Sequence, residues 1–214
     1  MTNNRGFSLM ELIITIGLMA VILGFAAGPF LDWYRKGKLE DRASSLHETF
    51  KWAQTQAMKR GGADVVNGKI ISSRIYIAIN QDANSYKIVR WVDTNADNVK
   101  TANEIAELQV GSLMEVRFGI VSGVDKTACS NSGVLTGTDP IRNLTFLQCP
   151  QVASSTMFAD HRCARFDGKG FLTESMENIA LYVTNGTNNY GISLNPAGVI
   201  TFCRWSGTDW QFVR

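Results

Sequence analysis

The chain opens with a short polar stretch, MTNNRG, and then turns apolar. From Leu12 to Leu31, LIITIGLMAVILGFAAGPFL, twenty consecutive residues carry no charge. A helix of that length rises roughly 30 Å, the thickness of bilayer hydrocarbon. The run therefore predicts a membrane-spanning helix over about 12–31. The pattern then changes rather than stops. Leu39, Ala43, Leu46, Phe50, Ala53 and Ala57 recur at steps of three and four, while Lys38, Glu40, Asp41, Arg42, Glu48 and Lys51 take the other faces. Such a stripe predicts an amphipathic continuation that covers a sheet and ends at Gly61-Gly62. One helix from about Ser8 to Arg60 thus meets two environments. Pro29 and Gly37 are its expected weak points.

Beyond Gly62 the period drops to two. Ile71, Ser73, Ile75, Ile77 and Ile79 fall on one face of a strand, and Tyr86 to Val92 form the next, with Asn80, Asp82 and Asn84 in the turn between. Ile105 to Val110 and Leu113 to Phe118 are two further strands, broken at Gly111. Ser122 to Pro140 reads as a long polar loop. Short strands are expected near Leu144 to Leu147, Ala164 to Phe166, Ile179 to Val183, Tyr190 to Leu194 and Val199 to Cys203. The turns NGTNN and NPAG separate the last three. The predicted class is α+β, with the long helix packed on a mostly antiparallel β head over 61–214.

Composition changes this picture little. The 214 residues allow one ordinary domain with an appendage. Lys+Arg 21 against Asp+Glu 19 gives +2, a balance that argues for no particular partner. An apolar share of 45% excludes a wholly disordered tail.

One charge matters more than the total. Glu11 stands at the edge of the apolar run, four places after Phe7, where an uncompensated carboxylate beside lipid is expensive. A secretory signal cut near Ala26-Ala27-Gly28, or a plain membrane anchor, leaves that charge unexplained. A cut between Gly6 and Phe7 would create an α-amino group one turn away, and a neighbouring subunit's amine could then pair with Glu11. The segment GFSLMELIITIGLMAVILGFAAGPF resembles the start of type IV prepilins and pseudopilins. In that family the leader ends in Gly, the next residue is an N-methylated Phe, and the fifth mature residue is Glu. Gly6, Phe7 and Glu11 match those positions, and Pro29 falls where members commonly bend the helix. Ser8-Leu9-Met10 departs mildly from the usual Thr-Leu-Ile. The resemblance implies a leader over 1–6, a pilin-type helix over 7–60 and processing by a prepilin peptidase. It also implies other pilin or pseudopilin subunits as partners. The single-pass precursor would sit in the bacterial inner membrane, N-terminus cytoplasmic and head periplasmic, before entering a pilus or pseudopilus. The later pattern FDGKGF…YGISLNPAGVITFCR resembles the GspH/FimT group of minor pilins and pseudopilins.

Asp93 to Glu104, DTNADNVKTANE, has the spacing of a calcium loop. Asp93, Asn95, Asp97, Thr101 and Glu104 fall at positions 1, 3, 5, 9 and 12, and Val99 at position 7 offers its carbonyl. Asn98 replaces the usual Gly, Lys100 the usual apolar residue, and no helix pair flanks the loop. Structural Ca²⁺ and a solvated, Asx-rich turn without metal are both open readings.

Cys129, Cys149, Cys163 and Cys203 all follow the predicted span and would meet an oxidising compartment. Of three pairings, Cys129–Cys149 with Cys163–Cys203 is preferred, the first closing the polar loop and the second tying late strands. A zinc site through His161 and Cys163 lacks CxxC spacing. His47 is expected at a surface or subunit interface. His161 and the nearby Ser154 and Ser155 stand in no nucleophile motif, so no enzyme is expected. Arg162, Arg165, Lys169, Arg204 and Arg214, interleaved with Phe166, Phe202, Trp205, Trp210 and Phe212, would suit nucleic acid. Some members of the resembled group bind DNA through a C-terminal Gly-Arg-x-Arg; this chain ends CRWSGTDWQFVR without it. The function expected is a minor pilin or pseudopilin subunit. A DNA-binding minor pilin and a membrane-anchored periplasmic binding module are the alternatives.

Overall fold

The computed structural model describes residues 8–60, 62–66, 68–95, 97, 100–124, 129, 147–149, 152, 158, 160–173 and 179–213. The chain divides into two compact units, Met1–Lys38 and Leu39–Arg214. A single helix, α1 (Leu9–Arg60), runs through Pro29 and Gly37 without a break, so neither weak point ends it. Pro29 lacks an N–H and leaves the Phe25 carbonyl without its usual helical donor.

Five strands come first: β1 (Ala63–Val66), β2 (Lys69–Asn80), β3 (Ser85–Val92), β4 (Ile105–Ser112) and β5 (Arg117–Phe118). Among the described residues seven more follow: β6 (Leu147–Gln148), β7 (Arg162–Phe166), β8 (Leu172–Thr173), β9 (Ile179–Thr184), β10 (Asn189–Leu194), β11 (Ile200–Trp205) and β12 (Trp210–Phe212). They form two antiparallel sheets. One has the order β4-β3-β2-β7-β6, with β1 on β2 and β8 on β7; the other runs β12-β11-β10-β9-β5.

The stripe on α1 explains why both sheets close on one core. Leu39, Ala43, Leu46, Phe50, Ala53 and Ala57 are buried against Ile75, Ile77 and Ile79 of the first sheet and Leu181, Val183, Ile192 and Leu194 of the second. The alternation of β2 is only half the story. Its other face, Tyr76 and Ala78, is also buried, with Val89, Trp91, Val152 and Phe158. Polar bonds fix the seam. Tyr190 donates its hydroxyl hydrogen to Glu40 Oε2 (2.9 Å), and Gln54 Nε2 donates to the carbonyls of Gly170 (2.8 Å) and Gly198 (2.6 Å). Gly198 sits at φ +79° with the Gly170 carbonyl where a Cβ would lie, so only glycine fits this joint between loops of the two sheets.

Gly111 does not break a strand. β4 runs through it, and its Cα partner across the ladder is Tyr86, whose ring covers the space a Cβ would need. The bare glycine lends its face to the ring. Leu113 to Val116 is turn rather than strand, and only Arg117–Phe118 pairs, with β9 of the second sheet. Asn84 organises this crossing. At φ 50° it accepts from the Phe118 N–H at 3.0 Å through Oδ1, donates through Nδ2 to the Val116 carbonyl, and offers its own carbonyl to Leu113 N–H at 3.1 Å.

The disulfides are Cys129–Cys203 and Cys149–Cys163, with Cα separations of 5.6 and 4.8 Å. The preferred pairing is therefore wrong. Cys163 lies on β7 and Cys203 on β11, which belong to different sheets and to separate apolar clusters. Cys149 follows β6, the neighbour of β7, and its N–H donates to the His161 carbonyl at 3.3 Å. Strand adjacency, not loop closure, selects the partner.

Replacing Asn84 tests how much the crossing depends on one side chain. Asn84→Ala should lower unfolding free energy by about 2–3 kcal/mol, from two lost bonds and left-handed strain. Asn84→Gly should cost less, because glycine relieves the strain alone. Chemical denaturation of the detergent-solubilised chain measures both; two negligible shifts would contradict the assignment.

Candidate functional site

Gly6 and Phe7 lie outside the described residues; Ser8 and Glu11 lie within them. Ser8 N–H donates to Glu11 Oε2 and Glu11 N–H to Ser8 Oγ, each at 3.2 Å. This is a reciprocal capping box, in which two backbone donors at a helix start satisfy each other's side chains. The Ser-x-x-Glu spacing before an apolar run was its sequence signal. Glu11 is exposed, and so are the apolar side chains that follow, up to 82% for Phe25. By length and composition α1 is able to cross a membrane.

The 93–104 loop is organised around a different carboxylate. Val99 and Asn98 lie outside the described residues. Asn95 Nδ2 donates to Asp97 Oδ2 at 2.8 Å, and both side chains are exposed. Glu104 is buried. Its Oε1 accepts from Thr94 N–H at 2.9 Å and from Thr94 Oγ1 at 2.7 Å; its Oε2 faces Thr101 N–H at 3.4 Å and Trp91 Nε1 at 3.5 Å. Burial pushes this carboxyl's pKa upward. Hydrogen bonds from Thr94, Thr101 and Trp91 outweigh that and hold it below the ordinary value. Lys100 Nζ stands 4.6 Å from the Trp91 ring centre, and the Arg74 guanidinium 5.1 Å from it. The loop thus folds over Trp91, with Glu104 at its end.

The two histidines have structural settings. His47 is buried within the head, not at its surface, and its ring stacks on Phe202 at 5.2 Å, itself stacked on Tyr190 at 5.3 Å. Burial, then the Lys51 cation, lowers its pKa against the pull of Glu48. Burial, then Lys87, does the same to His161, whose ring meets Phe158 edge-on. The Tyr190 hydroxyl is pushed up to about 12 by burial and then by its bond to Glu40, with Arg204 opposing. Cys163 is oxidised, which removes the thiolate a zinc site through His161 would require. Among the described residues no group of three or more His, Cys, Asp or Glu side chains is placed to hold a metal ion.

The four described basic residues share no single element. Arg162 and Arg165 stand three apart on β7 and so on opposite faces, Arg165 donating through Nε to Thr173 Oγ1. Lys169 is in the following turn, Arg204 lies on β11 of the other sheet beside Tyr190, and Arg214 is outside the described residues. Phe166 and Phe202 are core residues. Trp205 and Trp210 pair with each other at 5.4 Å.

Compared with known proteins, residues 1–27 match the prokaryotic N-terminal methylation motif, a feature of type IV pilin-like precursors in general. No curated protein and no solved structure matches the chain.

Because its folded pKa is lowered, Glu104 stabilises the fold at neutral pH, and that contribution is lost as pH falls below its ordinary value near 4.5 toward the folded one. Glu104→Gln should cost about 1–2 kcal/mol at neutral pH and flatten the acid limb of the stability curve. Thermal melts across that limb check this; parallel wild-type and variant curves would contradict it. Melts in excess Ca²⁺ and in chelator test the calcium reading of this loop, and coincident curves would sink it. A clear rise with Ca²⁺ would show that the carboxylate turns to the cation.

Proposed function

We propose that the chain is a minor pilin or pseudopilin subunit that primes, caps or decorates a type IV pilus or a type II secretion pseudopilus. On this reading a prepilin peptidase cuts between Gly6 and Phe7, and Phe7 carries the new, methylated amine. The observation that carries the proposal is Glu11 in the first turn of a helix with no further charge until Asp32, inside a stretch that matches the methylation motif. A carboxylate there stabilises a neighbouring subunit's N-terminal amine as the helices leave lipid and pack together. Two disulfides support export of the head to an oxidising compartment, hence an inner-membrane precursor with its head periplasmic.

The size of the head, 61–214, and the GspH/FimT-like late pattern favour a minor subunit over a bulk one. That late pattern has a structural counterpart: the turns FDGKGF and NPAG meet at Gly170 and Gly198 under Gln54. The core positions of Phe166 and Phe202, which leave those rings no face for a base, favour assembly over a DNA-binding role.

Mass spectrometry of the protein from a host with prepilin peptidase should find an N-terminal peptide beginning at N-methylated Phe7. An N-terminus at Met1 or Thr2 would instead indicate an anchored module outside any filament. Glu11→Ala should spare membrane insertion and lower incorporation into filaments roughly tenfold or more, the scale expected when one partner of a desolvated ion pair is removed. Normal incorporation would refute the pairing role.

A further inference from the structure

Immediately after the uncharged run, α1 carries Asp32, Trp33, Tyr34, Arg35, Lys36, Gly37 and Lys38. At the helical rise these seven residues occupy about 10 Å of axis past Leu31, enough to cross the polar layer of roughly 5–8 Å on one side of a bilayer. Trp33 and Tyr34 are exposed, at 71% and 46%, and the Phe30 and Trp33 rings lie tilted to each other with centres 6.1 Å apart. A water-facing helix gains nothing from displaying these rings together. At a membrane surface a Trp or Tyr keeps its ring in the interfacial layer and its polar edge in water. Lys38 Nζ lies 4.9 Å from the Tyr34 ring centre, so a cation crowns the aromatic face. Three cations stand here against one anion, Asp32.

Their position needs a reason. On the reading that the head is periplasmic, this flank lies on the oxidising side, where the usual Lys/Arg asymmetry of membrane proteins puts few cations, and Arg5 stands on the other flank. Lipid phosphate supplies that reason. Long basic stems run back along apolar surface while their charged ends reach headgroups. We propose that residues 30–38 form a binding site for the headgroup phosphates of anionic phospholipids. Phe30, Trp33 and Tyr34 fix the depth of the helix, and Arg35, Lys36 and Lys38 contact the phosphates. The site rests on the membrane-spanning reading of α1. It would hold the precursor at one depth until assembly lifts the helix out.

The test uses the full-length chain in phosphatidylcholine vesicles containing phosphatidylglycerol, with bromine on one lipid or the other. The Trp33 contribution to fluorescence is taken as the difference from Trp33→Phe. Brominated phosphatidylglycerol should quench Trp33 with an apparent association about fivefold that of brominated phosphatidylcholine, the factor expected from a surface cation near anionic lipid. The triple variant R35Q/K36Q/K38Q should bring that ratio to one while phosphatidylcholine still quenches. A wild-type ratio of one, or a preference that survives in the triple variant, overturns the site. Failure of both lipids to quench Trp33 overturns the membrane-spanning reading and the site with it. The mass of the N-terminus from the same preparation separates the two proposals. An uncut chain that keeps its lipid preference overturns the filament reading alone, and a cut chain without preference overturns the headgroup site alone.

Discussion

A carboxylate in the first turn of a helix, followed by twenty uncharged residues, is the constraint on which the remaining structure turns. Ser8 relieves Glu11 only in part. An amide and a hydroxyl satisfy hydrogen-bonding capacity and complete the helix start, but they carry no neutralising charge. Water supplies the balance while the residue sits at a membrane surface. In a low-dielectric bundle of like helices a cation must do so. A chain with this residue is therefore suited to a place where amines of neighbouring chains arrive at the same depth. The filament reading provides them from the same cut that removes the leader.

The same helix must also hold a folded head, and it does so with one face for two sheets. The stripe from Leu39 to Ala57 closes on both, while Tyr190–Glu40 and the Gln54 bonds fix the approach. Each sheet then carries a second apolar cluster on the face away from the helix, and each cluster contains one disulfide. Crosslinks of this kind stabilise a head whose core alone would be modest in size.

Much of this was legible in the residues. The long helix, the buried stripe that begins at Leu39 and most late strands follow from charge spacing and alternation, which are local signals. What was not legible is non-local. Alternation tells which side of a strand is buried, but not which sheet the strand joins, so Cys163 and Cys203 looked like partners although their strands belong to different sheets. It also missed that β2 is buried on both faces, because Tyr76 and Ala78 alternate as regularly as the isoleucines. Gly111 looked like a break because its rescuer, Tyr86, lies across the ladder. Glu104 illustrates a motif that fits two physical roles. The spacing that suits a cation also lets the last carboxylate gather backbone and indole donors, as Glu104 does. Conversely, the Ser8–Glu11 box was readable from four residues.

Zero-length carbodiimide crosslinking of intact filaments probes the Glu11 carboxylate most directly. The account predicts an intermolecular peptide joining Glu11 of this chain to the N-terminal amine of an adjacent subunit, and its loss in Glu11→Gln. Filaments that contain the chain, react elsewhere, and leave Glu11 unjoined to any neighbouring amine would contradict it.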